Sequence, residues 1–155
     1  MNAMTAKYAH TNLIAKDWKR LADFYQDVFA CTPVPPERDL SGAWLDRATG
    51  IHGARICGIH LLLPGHGEHG PTLEIFQYET SPEHPSVNPD TLGFSHLAFA
   101  VEDVEATAET VFARGGSALG ECTTLTVPGV GRLTFQYVRD PEENILEIQH
   151  WEKGS

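Results

Sequence analysis

Apolar and polar positions along the chain alternate in short runs, and two longer stretches break the alternation with helical spacing. In residues 94–103, FSHLAFAVED, small and apolar side chains alternate as in a strand and a charged pair ends it. His96 stands in that strand where an inward-facing aliphatic is expected. The next segment, DVEATAETVFARGG, puts Val104, Thr107, Ala108, Val111 and Phe112 on one helical face. Asp103 can accept from the first free N–H groups of such a helix, and Gly115-Gly116 supplies a natural stop. Three more strands are predicted in ECTTLTVP, GRLTFQYVRD and NILEIQHW, with a tight turn at residues 140–144 between the last two.

The first half of the chain has the same order of patterns. YAHTNLIAKD (8–17) aligns with FSHLAFAVED: an aromatic two residues before a histidine, an apolar strand, and an aspartate seven residues after the histidine. Asp17 opens the segment DWKRLADFYQDVFA, with Leu21, Phe24, Tyr25, Val28 and Phe29 on one face. Strands are then predicted in AWLDRA, ARICGIHLLL and TLEIFQYE, the last two joined by the Gly- and Pro-rich turn PGHGEHGP. LEIFQY (73–78) matches LEIQHW (146–151). An internal repeat of strand, helix and three strands accounts for the whole pattern. The expected organisation is α+β: a first βαβββ module over 6–80, a Pro-, Ser- and Asn-rich linker over 81–92 and a second module over 93–151. The first copy is longer, and most of its excess, CTPVPPERDLSG, is expected to be a loop beside the site.

Charge and composition narrow the function. A net charge of −10 over 155 residues repels phosphate backbones and anionic lipid surfaces, which argues against nucleic-acid and membrane partners. No apolar run approaches the roughly 20 residues of a membrane span. The stretch MNAMTAKYAHTN has no apolar signal core, and Cys31, Cys57 and Cys122 are odd in number and in no metal-like spacing. A cytoplasmic protein with reduced thiols is expected.

The repeat also decides where chemistry is expected. A lone histidine in a strand is more often a hydrogen-bonded structural residue than a ligand, but His96 has a counterpart in His10. The matched final strands each carry an acid among apolar residues, Glu74 and Glu147. Two βαβββ units cannot each bury a sheet face alone; packing about a pseudo-twofold axis is the simple solution, giving a curved, barrel-like mixed sheet around a central cavity. That arrangement would aim His10, Glu74, His96 and Glu147 at one point. Unpaired buried carboxylates cost several kcal/mol, and a divalent metal would compensate them. Two imidazoles and two carboxylates suit Zn, Ni, Co, Mn or Fe, with positions left for water or substrate. His66 and His69 lie in a Gly-rich turn and read as solvated loop, while His52, His60, His84 and His150 lack a repeated acid and read as structural or surface. Trp44, Phe76, Phe99 and Phe135 fit either core packing or a cavity lining.

The H-x6-D start followed by Phe24-Tyr25, together with LEIFQY, GFSHLAFAVED and DPEENILEIQ, resembles the vicinal oxygen chelate superfamily. That superfamily contains glyoxalase I, methylmalonyl-CoA epimerase, extradiol dioxygenases and bleomycin-resistance proteins. The resemblance covers nearly the whole chain, and the ligand pattern is similar to that of bacterial-type glyoxalase I. It implies that His10, Glu74, His96 and Glu147 are metal ligands. One departure is Glu143, where the family's turn usually has glycine. By resemblance, the expected activity is that of a glyoxalase-like lyase or isomerase on a small molecule with vicinal oxygens. A metal polarises the carbonyl, and a carboxylate moves a proton at the adjacent carbon. Glu147 is the implied base, with Glu74 able to serve the opposite face. The alternatives are an Fe(II) extradiol dioxygenase, against which a fourth ligand argues, and a metal-free drug-binding module, against which the ligand set argues. Epimerase-like members often carry an amide in place of the first-half glutamate, so Glu74 favours the isomerisation. No arginine can be assigned to hold glutathione, and a homodimer is expected.

Overall fold

The computed structural model describes residues 5–154. Residues 1–4, part of the stretch read above as lacking a signal core, lie outside it. Among the described residues no helix is long and apolar enough to cross a membrane.

The fold is α+β, with one sheet in each of two compact units. The first unit holds the chain up to Gln26 and Ala30–Ser81; the second holds Asp27–Phe29 and the chain from Pro82 onward. In the first, β1 (His10–Ile14), β2 (Thr32–Ser41), β3 (Arg55–Leu62) and β4 (Thr72–Tyr78) form a sheet in the order β1-β4-β3-β2. In the second, β5 (His96–Ala100), β6 (Ser117–Ala118), β8 (Gly131–Arg139) and β9 (Ile145–Lys153) run in the order β5-β9-β8-β6, and β7 (Thr123–Val127) also pairs with β8. The repeat is visible in the pairing: β1 lies parallel to β4 as β5 lies parallel to β9, and β3–β4 and β8–β9 are antiparallel.

The two helices expected from the sequence open as predicted. In α1 (Trp18–Phe29) the Asp17 carboxylate accepts from the Arg20 N–H at 3.1 Å, and in α3 (Val104–Ala113) Asp103 accepts from Ala106 at 2.9 Å. Each cap satisfies a donor that would otherwise lack an intrahelical partner. Leu21, Phe24, Tyr25 and Phe29 of α1 and Val104, Ala108 and Val111 of α3 are buried. Phe112 departs from the expected face and is exposed.

Two segments take forms other than those predicted. AWLDRA is not a strand but the start of α2 (Ala43–Thr49). Leu45 is its buried residue and packs with Ala54 and Ile56, which Leu40, Phe76 and Tyr78 flank. Asp46 reaches the following loop, its two oxygens accepting from the Gly53 and Ala54 N–H groups at 2.8 and 2.9 Å. Those backbone donors hold its carboxyl below the ordinary range. The stretch expected as a loop, CTPVPPERDLSG, contains the whole of β2. Its prolines are tolerated because β2 is the edge of the sheet, and its register with β3 breaks between Val34 and Arg38.

Burial alternates across both sheets. Leu61, Leu73 and Ile75 in the first unit, and Val138, Leu146 and Ile148 in the second, are fully buried on one face. Removing such side chains from water contributes about 1.5–3 kcal/mol each. Their neighbours on the strands point to the other, more open face, and the candidate site residues stand there.

Candidate functional site

Register places the first pair. Asn12 of β1 and His60 of β3 flank Glu74 of β4 at the same level, one on each side, and His10 lies one step up the same face of β1. His10 Nε2 is 3.2 Å from Glu74 Oε1, and His60 Nε2 is 3.0 Å from Oε2. The Asn12 side-chain N–H donates to Oε1 at 3.5 Å and to the Glu74 carbonyl at 3.4 Å. Glu74 is buried, 8 % exposed, whereas the His10 side chain is 47 % exposed. Burial pushes the His60 imidazole below its ordinary value; Glu74 opposes that shift, and Arg38 and then the neighbouring His10 add to it.

The second unit repeats the arrangement with different neighbours. Glu147 of β9 is flanked by Ala98 of β5 and Tyr137 of β8. His96 Nε2 lies 3.6 Å from Glu147 Oε2, with side-chain exposures of 28 % and 15 %. Tyr137 meets the His96 ring edge-on at 5.0 Å and Phe135 at 5.8 Å. Burial, and then the nearby Glu147 charge, raises the Tyr137 phenol above its ordinary value.

His96 is therefore not on the buried face, contrary to the expectation for that position. Leu97 and Phe99 are the more buried residues of β5, and His96 shares the open face with Glu147. Nor are the carboxylates unpaired: each has an imidazole of its own unit, and among the described residues no buried side-chain polar atom lacks a hydrogen-bond partner. Among the described residues no three His, Cys, Asp or Glu side chains form a group able to hold a metal by themselves. At Glu74 the two imidazoles meet opposite oxygens, so they form a row with the carboxylate between them. His60 is the residue that the sequence reading set aside as structural. Its one available signal was the antiparallel register of two strands joined through PGHGEHGP.

The remaining histidines stand apart. His150 Nδ1 is 2.9 Å from the Val101 carbonyl, and His52 is 3.8 Å from Asp46 at the end of α2. Of the aromatics weighed as lining, Phe76 and Phe135 lie on the site face by register, while Trp44 is half exposed on α2.

Solved structures of like fold include a glyoxalase family protein from Bacillus cereus, with a TM-score of 0.79 at 16% identity over 96% of each chain. The fosfomycin resistance protein FosX from Mesorhizobium loti aligns with a TM-score of 0.55 at 19% identity, covering 94% of this chain and 91% of its own. At these identities the likeness is one of fold. In sequence, 76 residues are 33% identical to the protein YaeR of Escherichia coli strain K12, covering 49% of this chain. The chain thus spans about half the length of that curated relative, 55% of it. The family profile of the glyoxalase/bleomycin resistance protein/dioxygenase superfamily matches residues 7–148. With the duplicated strand–helix–strands order and the match over nearly its whole length, the chain belongs to that superfamily.

Proposed function

We propose that this protein is a metal-dependent lyase or isomerase of the glyoxalase type, acting by proton transfer next to a chelated carbonyl. The observation that carries the reading is the duplicated imidazole–carboxylate pair, His10–Glu74 and His96–Glu147, on the open face of each sheet. Two neutral imidazoles and two carboxylates match the donor preferences of Zn, Ni, Co, Mn or Fe and neutralise a divalent charge. The reading asks that one pair of each kind supply the ligands, from a single chain or from two copies. When bound, the metal supplies Lewis-acid polarisation of a substrate carbonyl, which acidifies the neighbouring C–H.

The chain's own residues then divide the work. Glu147 takes the proton from the carbon beside the carbonyl and returns it to the adjacent carbon, so the product is an isomer with no net loss of atoms. His96 lies 3.6 Å from one oxygen of Glu147, and the half-buried setting keeps the carboxylate partly out of water. The substrate class is a small molecule with vicinal oxygens, and the face that receives it carries Phe135 and Tyr137 beside Glu147.

The test combines metal analysis of the purified protein with an assay on the hemithioacetal of methylglyoxal and glutathione. Glu147→Gln is expected to lose at least about 100-fold in turnover, the low end for a general base, while binding most of the metal. Turnover like that of the wild type in this variant would remove Glu147 from the mechanism. Bound iron with catechol ring cleavage would point to a dioxygenase, and protein that takes up no divalent metal would point to a sequestering module.

A further inference from the structure

The two glutamates of the repeat do not have equivalent surroundings. Superposing the registers, His60 and Tyr137 are counterparts, each directly opposite a glutamate on the neighbouring antiparallel strand. Asn12 and Ala98 are counterparts on the parallel side. Glu74 thus has three nitrogen groups around it, at 3.0, 3.2 and 3.5 Å, which engage both oxygens. Glu147 has His96 at 3.6 Å on one oxygen, a methyl side chain on one flank and a phenol ring on the other. A carboxylate engaged at both oxygens loses rotamer freedom, whereas one engaged at a single oxygen keeps the torsional play a proton carrier needs.

We propose that His60 is the positioning residue of Glu74. Its Nε2, 3.0 Å from Oε2, fixes the carboxylate so that Oε1 is presented to His10. Where the metal reading of the site holds, on which this part rests, Glu74 would serve as a fixed ligand, and proton movement would fall to Glu147. Groups that orient a metal ligand from behind commonly matter 10- to 100-fold in metal affinity.

The experiment compares wild type, His60→Leu and His60→Gln, whose amide nitrogen can donate from the place of the imidazole Nε2. In metal-free protein, the ring-nitrogen NMR shifts of His10 are expected to move in His60→Leu and to return towards wild type in His60→Gln. In the same proteins titrated with Co²⁺ and followed by visible absorption, His60→Leu is expected to bind about 10- to 100-fold more weakly, and His60→Gln within about threefold of wild type. Unmoved His10 shifts in a folded His60→Leu protein, or an equal loss in the leucine and glutamine variants, overturns the proposal. If wild type binds no Co²⁺ while the His10 shifts still respond, His60 positions Glu74 and the metal reading is the part that fails.

Discussion

Glu143 sits at φ 73°, in the left-handed region that side chains with a Cβ rarely adopt. The turn is held by Asp140, whose carboxylate accepts from the Glu142 and Asn144 N–H groups at 2.8 and 3.0 Å and from the Asn144 amide. Glycine at this position removes the Cβ conflict, which exceeds glycine's greater loss of chain entropy. Glu143→Gly is expected to stabilise the protein by about 0.5–1 kcal/mol, read as a higher urea midpoint with an unchanged slope. Cys31 offers a test at alkaline pH. Burial pushes its thiol from 9.0 to about 12, so the folded state favours the neutral form. The resulting stability is fully present below pH 9 and is lost as pH rises towards 12, where the unfolded chain gains from ionisation. Cys31→Ala should flatten the decline in stability over that window, measured by denaturation at fixed pH steps. The pairs His10–Glu74 and His96–Glu147, each brought together within its unit, were legible as candidates because repetition marks them. His60 was not, since its place beside Glu74 depends on strand register and on no local pattern.

At the scale of elements, Asp17 and Asp103 were readable as caps because their side-chain bonds are local to three residues of sequence. α2 was not, because Ala43-Trp44-Leu45 satisfies strand and helix patterns equally over so short a run. The helix follows from docking of Leu45 and from the grip of Asp46 on Gly53 and Ala54, both decided by tertiary contacts. β2 was hidden by its prolines, which forbid a central strand and permit an edge one. The β3–β4 pair has a further requirement at Gly58, opposite Phe76. A Cβ there would meet the Ile75 carbonyl and would come within 2.7 Å of the Phe76 ring. Gly58→Ala is expected to cost about 1–3 kcal/mol by forcing the strands apart. His60 is two residues along the same face, so the His10 NMR shifts should change in that variant as well.

For the molecule as a whole, superfamily members often pair, and this chain leaves Leu92, Phe94, Val130 and Trp151 at least 41 % exposed. Contiguous apolar surface favours association. A homodimer is the expected state, and sedimentation at micromolar concentration should give twice the chain mass; a monomer at every concentration would refute it. The net charge of −10 opposes unspecific contact between copies.

The histidine and tyrosine opposite the two glutamates carry a consequence for the duplication itself. A tandem copy starts with two interchangeable halves, and a substrate with a single acidic C–H has use for one base. On the reading proposed above, symmetry in the four site residues is then a degeneracy, with either glutamate able to serve as the base. A divergence at one rung of each sheet, His60 against Tyr137, lifts that degeneracy while leaving the backbone of the repeat alone. The residue across the strand from each acid would then assign the fixed role to Glu74 and the proton-carrying role to Glu147. Exchanging the two, His60→Tyr with Tyr137→His, is the smallest edit expected to exchange those roles.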